Sequence, residues 1–250
     1  MGELFFTVLY QPLYNLLVAV YDFLPSWGGL GLAIILVTVL VKVLVLPMTY
    51  KSIKAQKEMQ EIQPKIAEIK ERLKDDKEAL AKELMNVYKV HNVNPFASCL
   101  PAIVQMFVFI ALYQVLSAGL GEVNTDALYS FVHNPGSMSA FFLGMDLRVV
   151  SPLLGIVAGV TQYFQAKQMI TTRPPKVARE GAASLDEDMT AAMNKSMLYA
   201  LPIMMLVLGA TTLPAGVTMY IIVSTLLTYE IYEVFLGKPI KKAPLHIMQK

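Results

Sequence analysis

Five apolar stretches of 16 to 20 residues dominate the chain, and nearly all of its charge is gathered between and after them. They lie near 30–49, 100–118, 149–164, 197–212 and 217–236. A membrane-spanning helix needs about 20 mainly apolar residues, with a range of roughly 17–25, so each stretch predicts one crossing. The third and fourth, at 16 residues, predict a locally thinned bilayer or helix ends lying against protein. With 55% hydrophobic and 16% charged residues over 250 positions, a water-soluble fold could not hide the apolar surface. That excludes a disordered chain, a collagen-like repeat and most soluble enzymes. A formal net charge of +2 argues against a nucleic-acid binder. The single cysteine, Cys99, rules out a disulfide framework and reads as a small apolar residue packed near a helix start.

The position of each basic residue carries more than the net charge. Residues 1–29 hold none, and residues 119–148 hold only Arg148. The stretch 50–99 holds ten, residues 165–196 hold five, and the tail 237–250 holds four. Loops on the cytoplasmic side concentrate Lys and Arg, so 19 basic residues fall inside, one outside, and one, Lys42, within a span. The expectation is an all-α polytopic membrane protein with five transmembrane helices, N-terminus outside and C-terminus inside.

Residues 1–29 have no basic n-region and no small-residue cleavage site, so they do not read as a secretory signal. Leu13, Leu16, Leu17 and Val20 fall at helical spacing, interrupted by Gln11, Asn15 and Asp22. This predicts an amphipathic helix on the outer surface in preference to a sixth span. From Lys51 to His91 charges of both signs alternate with apolar residues at three- and four-residue steps: Ile62, Ile66, Ile69, Leu73, then Leu80, Leu84, Val87. The pattern predicts a cytosolic helical hairpin over 51–92. Asp75 with Glu78 three residues on reads as an N-cap and capping box for the second arm, and Pro64 predicts a kink or restart in the first. Residues 237–250 read as a basic cytosolic tail.

Lys42 lies about 12 residues into its span, roughly 16–18 Å from the outer end at 1.5 Å per residue. That is just past the midplane of an approximately 30 Å hydrocarbon core, where a charged side chain faces water or a partner. Snorkelling to the inner head groups meets a geometric difficulty, because helical side chains lean toward the helix N-terminus. A salt bridge would need Glu230 or Glu233, at the far end of the last span. The third reading is a hydrated groove lined by polar residues on several spans: Thr38 one turn before Lys42, Gln105, Gln162, and the stripe Thr218, Thr225 and Thr228. Gly155 and Gly159 form a small-residue helix contact.

No enzyme signature accompanies these residues. His91, His133 and His246 are scattered, and no metal, nucleophile-elbow or phosphate-loop motif occurs. A transporter in which Lys42 binds an anion or couples to protons is the competing function. It would carry inverted repeats or helices broken at the midplane, and no repeat is visible.

Several motifs together resemble the YidC-type membrane protein insertases. They are Lys42-Val-Leu-Val-Leu-Pro47-Met-Thr, Met59-Gln-Glu-Ile-Gln-Pro64-Lys-Ile, Val93-Asn-Pro95, Leu100-Pro101 with Gln105-Met106 and Ala111-Leu112-Tyr113, and Leu213-Pro214-Ala-Gly216 with Tyr220-Ile-Ile-Val-Ser224. The resemblance implies an insertase and folding chaperone without cofactors, resident in the bacterial plasma membrane and acting on nascent membrane proteins within the lipid bilayer. The Sec translocon and the ribosome enter as further candidate partners, between which the sequence does not choose. It also implies a hydrophilic groove with a cation on the first core helix. Lys42 takes that position here, with Thr38, Gln105, Gln162, Tyr220, Ser224 and Thr225 as its candidate lining. Where the family typically has arginine, lysine keeps the charge and lacks the planar donor fork. Where many members have a Tyr-Tyr pair, this chain has Tyr220-Ile221. The absence of a large domain before the core implies the compact form of the family.

Overall fold

The fold, obtained as a computed structural model, describes residues 2–24, 28–73, 76–91, 93–94, 100–118, 123–171 and 184–236. It is built almost wholly of helices. A helical run opens with α1 (Glu3–Phe5), passes through a π turn at Phe6–Tyr10 and continues as α2 (Gln11–Phe23). Then come α3 (Gly29–Arg72), α4 (Lys77–Val90), α5 (Leu100–Ala118), α6 (Pro152–Thr171), α7 (Ser184–Thr211) and α8 (Ala215–Leu236). Between α5 and α6 a two-stranded hairpin pairs β1 (Phe141–Phe142) with β2 (Met145–Asp146).

Contacts between helices fix their directions. Lys42 meets Thr228, and Gln56 meets Tyr232, so α3 and α8 run parallel. Gln162 meets Thr225 and Gln168 meets Tyr229, so α6 runs with them. Gln105 sits against Ser224 while Phe109 stacks on Tyr220, so α5 runs the opposite way. Gly155 abuts Ala210 and Gly159 abuts Leu206, which makes α7 antiparallel to α6. The five long helices therefore alternate in direction along the chain.

Three helical segments are long and apolar enough to cross a membrane among the described residues: Glu3–Phe23, Gly29–Met59 and Ala215–Phe235. Ile103–Leu116 and Leu198–Thr211 are shorter apolar helices. The two stretches expected to be short prove to be parts of longer helices, since α6 has 20 residues and α7 has 28. The sequence reading stopped where polarity begins, whereas backbone hydrogen bonding continues through it. Within the polar turns added to α6, Gln168 faces α8, where its Nε2 donates to Tyr229 O and to Glu233 Oε2. The start of α6 is set by Ser151-Pro152: proline suits the first helical position, and Ser151 Oγ accepts from Leu154 N.

The first arm of the hairpin is not a separate helix. α3 is one helix of 44 residues that carries both Pro47 and Pro64 inside it, roughly 66 Å long at 1.5 Å per residue. Pro64 does not restart the helix: a proline removes one hydrogen bond, the turns on either side remain, and α4 folds back along this segment. Arg72 Nη2 lies 3.7 Å from Glu83 Oε1 and Lys65 Nζ 3.2 Å from His91 Nε2, while Ile62, Ile69 and Val93 are buried. The cap of α4 is Asp76, whose Oδ1 accepts from Ala79 N at 2.9 Å. Ala79 therefore occupies the third position, and Glu78 cannot close the expected capping box; Asp75 lies outside the described residues. Asp76→Ala is expected to cost about 1 kcal/mol of α4 stability. Faster hydrogen exchange at the Glu78 and Ala79 amides, with the α8 amides unchanged, would register it.

At the opposite end, α2 is sewn to the loop that follows α5. Asn15 is 3% exposed, and its amide donates to Gln11 O and Ala127 O at 2.8 Å each while its carbonyl accepts from Tyr129 N at 2.6 Å. Tyr14 and Tyr21 hydroxyls accept from Asn124 N and Ser139 N. Tyr10, Leu13, Leu17 and Val18 pack with Leu30, Ile34, Leu112, Leu116 and Val217 into the principal apolar core. The tight connection expected at Leu213-Pro214-Ala215-Gly216 joins α7 to α8. The first amides of α8 would lack helical partners, but Ala215 N donates to Val149 O and Gly216 N to Leu147 O.

Two exposed apolar stripes mark the outer faces of the bundle. On α3 they are Leu36, Leu40, Val43 and Leu44; on α6 they are Leu153, Ile156, Val160 and Phe164. Spacing of three and four residues places each set along one side of its helix.

Candidate functional site

Lys42 sits where α3, α5 and α8 meet. Its ammonium donates to Gln105 Oε1 at 2.8 Å and to Thr228 Oγ1 at 2.9 Å. Each acceptor is oriented by a further bond. Thr228 Oγ1 donates to Ser224 O at 2.7 Å, a bond back to its own helix that leaves its lone pairs facing Lys42. Gln105 turns its carbonyl to the ammonium, so its Nε2 donates to the Tyr220 hydroxyl. Ser224 Oγ also donates to Gln105 Oε1, at 3.4 Å. Tyr220 and Ser224 are buried, whereas Lys42, Gln105 and Thr228 are half-buried. From Leu226 onward α8 becomes more exposed. The cluster thus lies where the closed half of the bundle gives way to a more open half on the hairpin side.

The partners of Lys42 are neutral oxygens. Among the described residues no ion pair involves Lys42; Glu233 instead receives Gln168. Neutral dipoles, not a carboxylate, therefore solvate the Lys42 side chain here. A cation held this way remains available to an incoming anionic or polar group.

Not every expected lining residue joins this cluster. Lys42, Gln105, Tyr220 and Ser224 come together, with Thr228 completing the set. Thr225 faces the other side of α8, where its hydroxyl donates to Gln162 Oε1 at 3.2 Å. Thr38 is buried and donates to Ile34 O on its own helix at 2.6 Å; Thr218 does the same to Pro214 O at 3.3 Å. The expected glycine contact holds: a Cβ on Gly155 would stand 2.3 Å from Ala210 N, and one on Gly159 would stand 2.7 Å from Leu206 Cβ.

A second seam, unexpected from the sequence, joins the C-terminal extension of α3 to the end of α8. Gln56 Nε2 donates to the Tyr232 hydroxyl at 2.9 Å, Lys57 Nζ donates to Phe235 O at 3.2 Å, and the Tyr50 and Phe235 rings meet edge to face. A cation at the last carbonyls of a helix complements its dipole. Periodicity could not reveal this pairing, because the hydrogen-bonded partners are separated by 176 and 178 positions.

Apolar helices of alternating direction, bundled around an ammonium solvated by side chains from three of them, define a polytopic membrane protein with a polar site inside its helices. The chain belongs to the 60Kd inner membrane protein family, whose sequence model matches residues 20–240, and it is a multi-pass protein of the bacterial plasma membrane. It is 33% identical over 226 residues to a protein of Pelobacter propionicus named membrane protein insertase YidC, a match covering 89% of this chain and 37% of that one. A protein of the same name from Geobacter metallireducens is 30% identical over 238 residues, 95% of this chain and 38% of the other. A third, from Fusobacterium nucleatum, is 32% identical over 220 residues, 86% of this chain and 92% of the other. The chain thus spans little more than a third of the Pelobacter and Geobacter relatives and corresponds to most of the Fusobacterium one.

Proposed function

We propose that this protein is a membrane protein insertase and folding chaperone, and that the Lys42 cluster forms the polar floor of a groove open to lipid and cytoplasm. The observation that carries the reading is the ammonium of Lys42, held inside the bundle by Gln105 and Thr228 with no carboxylate paired to it among the described residues. The names of its relatives point the same way. In this reading α3, α5, α6, α7 and α8 each cross the membrane once. The α3–α4 hairpin lies in the cytoplasm and α2 rests on the outer surface. The alternating helix directions and the gathering of basic residues on the hairpin side support this topology.

The mechanism follows from desolvation energetics. A substrate's polar tail cannot cross hydrocarbon cheaply, since each unpaired polar group costs several kcal/mol. Water and the Lys42 charge reach partway through the bundle, so the tail crosses only the remaining half. Gln105 and Thr228 orient the ammonium, and Tyr220 and Ser224 hold Gln105. Thr38, bonded to its own helix, and the Gln162–Thr225 pair on the other side of α8 support the surrounding helices. The substrate's apolar segment meanwhile leaves along exposed aliphatic faces into lipid, and its burial, at about 25 cal/mol per Å², supplies the driving force without a nucleotide. Nascent membrane proteins are the substrates, with the Sec translocon and the ribosome as candidate partners.

The test reconstitutes the protein and follows insertion of a single-span substrate with a short acidic tail. Lys42→Arg should insert near the wild-type rate, and Lys42→Glu should fall by about tenfold or more, the equivalent of roughly 1.4 kcal/mol of lost attraction. Equal activity in both variants and in Lys42→Ala would remove the charge from the mechanism. Solute flux through vesicles without insertion would replace the insertase reading with a transporter.

A further inference from the structure

The loop between α5 and α6 carries large apolar side chains that stand exposed among the described residues. At its centre, Phe142 turns inward, its ring filling the space over Gly31. The neighbouring Phe141 points out, and Leu143 at the turn is 82% exposed. The turn residues Leu143 and Gly144 have φ of 49° and 79°, the two positive values of a type I′ turn, where Asn-Gly or Asp-Gly is the usual pair. Leucine is poorly suited to that backbone, and its side chain is largely exposed there. Phe131 is also 82% exposed. It lies between Tyr129, bonded to Asn15, and His133, 3.2 Å from Asp22.

These side chains are therefore fixed to the last turns of α2 and the first turn of α3, where Leu30 N donates to Ser139 O. They stand at the level where α3, α6 and α8 begin. Exposed Val149 leads directly from this loop into the α6 stripe that starts at Leu153, so the apolar surface is continuous with the sides of the bundle. Asp146 and Arg148 on the same surface form an ion pair. Arg148 holds Asp146 through Nη2 at 2.7 Å and Nε at 3.0 Å, and this hydrogen bonding keeps the Asp146 carboxyl below its ordinary pKa.

We propose that the hairpin tip Phe141-Leu143, together with Phe131, is an interfacial anchor seated in the boundary between lipid head groups and acyl chains. It would fix the depth of the bundle at the end opposite the basic hairpin. Membrane interfaces favour side chains of this kind when their backbone polar groups are already bonded, and the β1–β2 pairing and the turn meet that condition. The inference concerns anchoring and does not depend on the insertase reading.

The test uses the full chain in phosphatidylcholine and phosphatidylglycerol vesicles, with Trp27→Phe removing the single native tryptophan. Leu143→Trp and Phe131→Trp are compared with Glu78→Trp on the exposed start of α4. Lipids brominated near the head of the acyl chain should quench the first two at least twofold more than the reference, and aqueous iodide should quench them less. Quenching equal to the reference would overturn the proposal. So would protection from both bromine and iodide, which would place a second copy of the chain over the patch. The two tryptophan positions are independent, so a variant that fails to fold leaves the other to decide.

Discussion

Gln105→Leu is expected to destabilise the bundle and to slow insertion by more than the loss of folded protein explains. The side chain accepts from Lys42 and Ser224 and donates to Tyr220, so its removal leaves the ammonium with Thr228 alone and takes a partner from the buried Tyr220 hydroxyl. A neutral interhelical hydrogen bond in a membrane averages about 0.6 kcal/mol, which is the loss expected for Thr225→Val at the Gln162 pair. Bonds to charged groups are worth roughly 1.5–3 kcal/mol, and the Lys42 bond belongs to that class. Adding Lys42→Met to Gln105→Leu removes that charge, and replacing both members of a buried polar pair with apolar groups is commonly neutral or stabilising. The double variant should therefore regain thermal stability in detergent while its insertion remains low. Recovery of both together would mean that Lys42 serves the fold alone.

The sequence made part of this cluster legible for a physical reason. A lysine amid aliphatic residues is costly wherever it lies, so Lys42 demanded partners, and glutamine and threonine were scarce enough inside apolar stretches to be found by inspection. Which of them turn toward Lys42 was not legible. Thr38, Thr225 and Thr228 all lie on expected spans, but a threonine hydroxyl can always return to its own helix, as Thr38 does with Ile34 O. The choice depends on helix rotation, which packing sets. Asn15 shows the converse. It was visible as a polar interruption in an amphipathic run, yet its three bonds go to its own helix and to a loop more than 100 positions away. The helical hairpin was legible from period alone, but α3 runs through Pro64 because folded-back α4 steadies it, a tertiary effect. The hairpin at Leu143 left almost no signal, since Leu-Gly is not a turn pair that β-hairpins favour.

Gly155→Ala should be the most damaging small substitution on α6, and it should act without touching the Lys42 cluster. An added Cβ would lie 2.3 Å from Ala210 N, 2.6 Å from Ala210 Cα and 2.6 Å from Gly209 C. These are backbone atoms, so no rotamer change can relieve the clash, and α6 and α7 must move apart. At Gly159 the nearest atom is the side-chain Leu206 Cβ at 2.7 Å, with Pro202 O at 3.1 Å, so the same change there should cost less. Overpacking of this kind typically costs about 1–3 kcal/mol. The expected order of thermal stability in detergent is wild type, then Gly159→Ala, then Gly155→Ala. Insertion per folded molecule should stay near the wild-type value in both glycine variants, because Lys42, Gln105 and Thr228 lie on α3, α5 and α8, outside the separated pair. Comparing them with Gln105→Leu therefore separates the two functions of the bundle. If Gly155→Ala lowered specific insertion as far as Gln105→Leu does, the α6–α7 pair would have to be counted as part of the groove.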